Sequence, residues 1–125
     1  MRTNNLKGMR AYLVGAMDRV IDGGVGWRKA ITPMLSELNV QVLNPCDKPI
    51  ESAKEGPDTR TVIEYYKQTG QFDKIREQYG HIRNADLRCV DVSDFIIANI
   101  DMNVHMCGSY EEISTANRQK KPVLV

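Results

Sequence analysis

The chain has 125 residues, of which 42% are hydrophobic and 26% are charged, and its formal net charge is +1. A single globular domain is expected, because a chain of this length buries roughly two-thirds of the surface that it exposes when unfolded. The balanced charge gives no reason to expect a nucleic acid polymer or a membrane as partner. No apolar run reaches the ~20 residues of a membrane-spanning helix, and residues 1–10 lack the apolar segment of a signal peptide.

The first third of the chain predicts two strands with a helix between them. Residues 10–17, RAYLVGAM, form a short apolar run that is typical of a buried strand, and residues 40–45 predict a second strand that stops at a proline. Between them, apolar side chains recur at helical spacing, namely Trp27, Ile31, Leu35 and Leu38. Pro33 interrupts this stripe, so the helix is either kinked there or begins at Thr32 with Pro33 in its first turn.

The rest of the chain opens with a long loop and then alternates helices with strands. Residues 45–60 hold three of the five prolines, and long loops of this kind in compact domains are often lids or binding loops. The patterns that follow predict helices over 59–69 and 72–91, a buried strand over 94–100, a helix over 109–121 and a last strand over 122–125.

This alternation predicts a small doubly wound α/β fold, flavodoxin- or Rossmann-like, with a parallel sheet of about four to five strands flanked by helices. Right-handed crossovers make 2-1-3-4 the simplest strand order. Ligands of such sheets bind beyond the carboxyl ends of the strands, near the point where the strand order reverses. That edge collects residues 15–18, 44–47 and 101–108.

The stretch MCGSYEEISTA, residues 106–116, has two interpretations. Ser109 and Glu112 have the spacing of a capping box, in which each side chain satisfies a free backbone N–H of the other residue. Alternatively, Glu112 is a nucleophile at the mouth of a ligand pocket. The two roles are compatible, and Glu111 is expected to be a solvated charge of the first helical turn.

Four segments in order, YLVGAM, DFIIANID, GSYEEI and KKPVLV, resemble the nucleoside 2-deoxyribosyltransferase family. The resemblance extends over about residues 10–125. It implies an enzyme that cleaves the N-glycosidic bond of a (deoxy)nucleoside and transfers the sugar to another base. Related enzymes hydrolyse nucleoside 5′-monophosphates instead, so water is an alternative acceptor.

The resemblance also implies catalytic roles for three residues. Glu112 matches the nucleophilic carboxylate, which stabilises or traps the oxocarbenium character that develops at C1′, and the helix N-terminus is expected to keep it ionised. Tyr12 matches a tyrosine that orients the nucleophile, although it is equally interpretable as a core aromatic. Asp86 matches an aspartate that contacts the departing base, where a general acid would help. The alternative is a surface aspartate paired with Arg83 or Arg88.

A wider set of residues is expected to bind the substrate. Small residues after the first strand allow a close approach of backbone to ligand, and a helix N-terminus suits an anion or a sugar hydroxyl. Arg19 and Arg28 are candidate phosphate ligands, the alternative being solvated cations, and Asp94 is expected to cap the entrance of its strand, away from the pocket. The predicted substrate-binding residues are Gly15, Ala16, Met17, Asp101, Gly108, Ser109, Arg19 and Arg28.

The chain departs from the family pattern at Met106, where many transferases carry an aspartate that helps to handle the base. A thioether cannot carry a proton, so base recognition has to depend on other residues, such as Asp86 and Asp101. His105 and Cys107 offer two metal ligands without an evident third, and we expect neither a metal nor another cofactor.

Two further expectations concern the setting of the protein. The odd number of cysteines, without a CxxC pair, predicts reduced thiols in a cytoplasmic protein. By resemblance, we expect a homo-oligomer, at least a dimer, and PVLV at a sheet edge fits this. Two other functions remain open: a non-catalytic nucleotide-binding module of the same fold, and an NAD-type nucleotide glycohydrolase whose longer groove would use residues 45–60 as a wall.

Overall fold

Four parallel strands form the sheet of the computed structural model, which describes residues 3–17, 19–48, 53 and 58–125. The strand order is β2-β1-β3-β4, and every neighbouring pair is parallel. The predicted doubly wound α/β fold and its strand order are therefore confirmed. The strands are β1 (Arg10–Gly15), β2 (Gln41–Leu43), β3 (Phe95–Asn99) and β4 (Val123–Leu124).

Four α-helices flank this sheet within the described residues, and a short 3₁₀ turn, Pro45–Asp47, follows β2. Of the predicted loop over 45–60, residues 49–52 and 54–57 lie outside the described residues, as does Asp18 at the end of the predicted 15–18 segment. The helices are α1 (Val25–Glu37), α2 (Thr59–Gln68), α3 (Phe72–Val92) and α4 (Cys107–Arg118).

The alternation of side chains along β1 divides the core between the two faces of the sheet. Ala11 and Leu13 lie on one face and pack with the apolar stripe of α1, including Trp27, Ile31 and Leu35. Tyr12 and Val14 lie on the other face, together with residues of α3 and α4, namely Val90 and Ala116. The central strand is buried on both faces, which explains its continuous apolar sequence.

Helix α1 runs through Pro33 without ending there. Its first residue is Val25, so the alternative start at Thr32 is wrong. A proline inside a helix lacks the N–H that would donate to the carbonyl four residues earlier, and this costs helix stability. The helix nevertheless persists, because its apolar stripe is buried against the sheet. Thr32 Oγ1 donates to the carbonyl of Arg28 at 2.6 Å on the turn just before Pro33.

Two observations concern the expected setting of the protein. The helices that the described residues form are all too short or too polar to cross a membrane. Cys46, Cys89 and Cys107 are free thiols.

Candidate active site

A cavity of about 300 Å³ lies at the edge of the sheet where the strands end. Gly15, Ala16 and Met17 line it from the turn after β1, and Pro45 lines it from the turn after β2. This is the edge at which the fold predicts a ligand. Further walls come from α3, from the loop before α4 and from the first two turns of α4: Tyr79, Ile82, Arg83, Asp86, His105, Met106, Cys107, Gly108, Ser109 and Glu112.

Glu112 is 5% exposed, and the Tyr12 hydroxyl donates to its Oε1 at 2.7 Å. The capping-box interpretation is wrong, because α4 begins at Cys107, two residues before Ser109, and no side chain caps it. Glu112 therefore lies in the second turn of α4. Its carboxylate faces the sheet and the cavity instead of folding back onto the helix N-terminus.

The two oxygens of Glu112 have different surroundings. Oε1 accepts the bond from Tyr12 and lies 3.5 Å from Nη1 of Arg83, whereas Oε2 has no donor among the described residues. Within that part of the chain, Trp27 Nε1 is the only fully buried side-chain nitrogen or oxygen without a hydrogen-bond partner. Oε2 is therefore not fully buried, and since Glu112 lines the cavity, this oxygen is accessible from it.

Burial has the largest effect on the pKa of the Glu112 carboxyl, and it raises that pKa. Burial and the negative charge of Asp86 both raise the pKa of Glu112, whereas the hydrogen bond from Tyr12 and the cations Arg83 and Arg28 lower it. The net result is a pKa of about 7. The expectation that the helix N-terminus keeps Glu112 ionised is wrong for this reason. Burial and the neighbouring carboxylates also raise the pKa of Tyr12 well above its ordinary value, so its hydroxyl stays protonated and is the donor.

Asp86 is buried, with 4% exposure, so the alternative of a surface aspartate is wrong. Lys48 Nζ lies 2.6 Å from Oδ1, and both side chains of this pair are at most 5% exposed. Nη1 of Arg83 lies 3.6 Å from Oδ2, so the anticipated pairing with Arg83 is present but is the weaker of the two. With a cation beside each oxygen, Asp86 is arranged to accept hydrogen bonds.

Arg28 is almost fully buried, at 1% exposure, so it is not a solvated cation. Its guanidinium donates to the carbonyls of Leu13, Gly15 and Gly24 at 3.3, 3.0 and 2.8 Å. Gly24 has φ 81°, and a Cβ there would collide with the guanidinium. Arg28 therefore stabilises the backbone around the end of β1. Because three of its N–H groups already donate to backbone carbonyls, fewer remain to bind a phosphate.

The remaining predicted residues divide between the cavity and the surface. Asp101 is exposed and accepts a bond from the backbone N–H of Asn103 at 2.9 Å, and it does not line the cavity. The structure therefore does not bring Asp101 to the site, because the Asp101 carboxylate accepts a bond within its own turn. Arg19 is exposed and lines the mouth of the cavity and an adjoining groove. Asp94 accepts from the backbone N–H of Arg10 at 2.7 Å at the opposite end of the sheet, as expected.

Sequence reasoning missed Lys48 as a partner of Asp86 and Arg83 as a partner of Glu112. Helical spacing contained part of the signal for Arg83, because residues 79, 82, 83 and 86 lie on one face of α3 and all line the cavity. The Lys48–Asp86 pair joins residues 38 positions apart, and a lysine in a proline-rich loop gives no sign that it will be buried.

No group of three or more His, Cys, Asp or Glu side chains in the described part of the chain is arranged to hold a metal ion. The protein-family models that were searched give no match to this chain, and the curated proteins give no significant match either. The interpretation of the site consequently depends on its geometry and on the motifs of the sequence.

Replacing Glu112 by glutamine is expected to stabilise the protein above neutral pH. The pKa is about 7 in the folded state and 4.5 ordinarily, so the folded state holds this proton more tightly. The stability contributed by protonated Glu112 is complete below pH 4.5 and is lost as pH rises through 7. Between about pH 5 and 8.5, the free energy of unfolding of wild type should fall by roughly 2 to 3 kcal/mol relative to that of the variant, as measured by urea unfolding.

The control for this comparison is Glu37→Gln, which neutralises an exposed carboxylate at the end of α1. Its stability should follow that of wild type at every pH. Parallel pH curves for wild type and Glu112→Gln would contradict the raised pKa.

Proposed function

We propose that the protein cleaves the N-glycosidic bond of a (deoxy)nucleoside or its 5′-monophosphate. The observation that carries this proposal is the buried Glu112 carboxylate, whose Oε1 accepts a bond from Tyr12 while Oε2 is accessible from the cavity. A carboxylate with one oxygen fixed and the other available is suited to attack an anomeric carbon.

In this proposal Oε2 of Glu112 attacks C1′ of the sugar, and the bond between C1′ and the base nitrogen breaks. The electron pair leaves with the base, which takes up a proton from water at the cavity mouth. The resulting glycosyl ester is then attacked at C1′ by a second base or by water, which loses a proton and restores the carboxylate. Burial of Glu112 favours this role, because a poorly hydrated carboxylate requires less desolvation before it attacks.

The cavity offers an apolar wall and an acceptor for the base. The side chains of Tyr79, Ile82 and Met106 contribute apolar and aromatic surface to the lining. Asp86, which has a cation beside each oxygen, is an acceptor for N–H groups of the base. Met106 thus supplies contact surface where an aspartate would supply proton transfer.

A phosphorylated substrate is favoured by arginines at the cavity mouth. Arg19 and His105 line both the cavity and the adjoining groove, to which Arg60 also contributes. The first turn of α4, with Gly108 and Ser109 in the cavity wall, presents backbone N–H groups that suit a phosphate. A 5′-phosphate at this mouth would leave the sugar and the base for the interior.

The size of the cavity bears on the alternatives. At about 300 Å³ it is at the lower end of the ~300–1,000 Å³ range of small-molecule sites, which favours one nucleoside or nucleotide over a dinucleotide such as NAD. Against a purely non-catalytic module stands the geometry of Glu112, whose Oε1 is fixed by Tyr12 while Oε2 is accessible from the cavity. Cytoplasmic location and assembly into at least a dimer stay predictions.

The test is release of free base from a panel of nucleosides, deoxynucleosides and their 5′-monophosphates, with and without an acceptor base. We expect deoxynucleoside monophosphates to be cleaved fastest, and we expect Glu112→Ala to release no base. Release without an acceptor would identify a hydrolase, and release that requires one would identify a transferase. A folded wild-type protein that binds these compounds without releasing base would support the binding module instead.

A further inference from the structure

We propose that Arg83 is a positioning residue for Glu112, holding Oε1 so that Oε2 stays directed to the cavity and sustaining the carboxylate in its ionised form near neutral pH. This inference rests on the proposed function, because it assigns to Arg83 the control of the nucleophile. The four segments that carry the family resemblance do not include Arg83.

Arg83 contacts three carboxylates, of which Glu112 and Asp86 line the cavity and Glu111 does not. Nη2 lies 2.8 Å from Oε2 of Glu111, while Nη1 lies 3.5 Å from Oε1 of Glu112 and 3.6 Å from Oδ2 of Asp86. The guanidinium is a rigid planar fork, so the short contact with Glu111 fixes the direction of the other nitrogen. Nη1 is therefore held between Glu112 and Asp86, the two buried carboxylates of the site.

Gly108 provides the space for this arrangement. A Cβ on Gly108 would lie 3.2 Å from Nη1 of Arg83, which is tighter than ordinary packing. The second residue of α4 thus lets a guanidinium approach the first turn of the helix. A cation at a helix N-terminus is unfavourable by itself. Its presence here is explained by Glu111 and Glu112, which, with Asp86, raise the pKa of Arg83 although burial alone would lower it.

Arg83 is the cation that contacts Glu112 directly within the described part of the chain. Arg28 acts on Glu112 from α1, but three of its N–H groups donate to backbone carbonyls. Lys48 is paired with Asp86 instead. The groups that face Glu112 are Tyr12 from β1, Arg28 from α1, and Arg83, Asp86 and Cys89 from α3.

Removing this cation should affect base release according to pH. In Arg83→Gln, Glu112 is left with the repulsion of Asp86 and without its nearest cation, so a smaller fraction of it is ionised below neutral pH. We expect base release to fall about threefold to tenfold at pH 6 and less than about twofold at pH 9. Arg83→Lys, which keeps the charge, should show a smaller loss at pH 6.

Arg88→Gln is the matched control. Arg88 is an exposed cation on the same helix and forms no ion pair in the described residues, so the variant removes one charge from α3 away from the cavity. Its pH profile should coincide with that of wild type. A loss in Arg83→Gln that is equal at pH 6 and pH 9 would overturn the proposal, because loss of a merely structural contact does not depend on the ionisation of Glu112.

A second readout does not require activity. Carbonyl-13C-labelled glutamate allows the Glu112 carboxyl to be titrated by NMR, with Glu112→Gln assigning its signal. The midpoint should move to higher pH in Arg83→Gln and stay unchanged in Arg88→Gln. An unchanged midpoint in Arg83→Gln would overturn the role of Arg83 even if base release is observed. A shifted midpoint in a protein that releases no base would support the positioning role and reject the proposed reaction.

Discussion

Glu112→Gln is expected to lower base release by on the order of 10³-fold or more at pH 8 while leaving the protein folded. The amide retains an oxygen that can accept the bond from Tyr12, but it cannot form the bond to C1′ that the carboxylate forms through Oε2. The measurement is the initial rate of base release at saturating substrate. Because the same change is expected to stabilise the protein at this pH, a loss of activity cannot be attributed to unfolding.

Two variants make this test decisive. Glu37→Gln changes an exposed carboxylate at the end of α1, which does not line the cavity, and it should retain the activity of wild type. Glu112→Ala should recover base release when a small anionic nucleophile such as azide is added, because the anion can occupy the space of the lost carboxylate. A glutamine variant that retains activity within tenfold of wild type would contradict the nucleophilic role.

Breaking the Lys48–Asp86 pair is expected to destabilise the protein by roughly 3 to 5 kcal/mol. Both side chains are at most 5% exposed and their charged atoms are 2.6 Å apart, so removal of one partner leaves the other charge in a poorly solvated site. Lys48→Met and Asp86→Leu should each lower the free energy of unfolding by this amount in urea. The double variant should recover most of the loss, because replacing both partners by apolar residues removes both buried charges of this pair.

An exposed pair on α2 provides the comparison. Lys67 and Glu64 are 3.4 Å apart and about half exposed, so Lys67→Met should cost less than about 1 kcal/mol. If the stable double variant still releases base from every nucleotide at wild-type rates, Asp86 is structural only. We expect it instead to lose most of its preference among bases, since the acceptor at the cavity wall is gone. Equal costs for the buried and the exposed pair would contradict the burial of Lys48.

The fold was predictable because its signals are local. The continuous apolar run of β1 marks a strand buried on both faces, and the stripe that includes Ile31 and Leu35 marks the helix that covers one of them. The chirality of the crossovers then leaves few strand orders, and the observed one is the simplest. The boundaries of α1 and α4 were less predictable: α1 begins well before Thr32, since burial of its apolar face outweighs Pro33, and α4 begins at Cys107 without a side-chain cap.

The sequence by itself predicted the parallel sheet and the edge at which a ligand is expected. Through the family resemblance it also singled out Tyr12 and Glu112, which the structure brings together across 100 positions of the chain. Only the tertiary structure decided that the Glu112 carboxyl is buried with a pKa of about 7, that Arg28 is occupied by backbone carbonyls and that Asp86 pairs with Lys48. The physical reason is that ionisation and ion pairing depend on how much water folding excludes and on which charges folding brings close. The local sequence around a residue specifies neither of these two quantities.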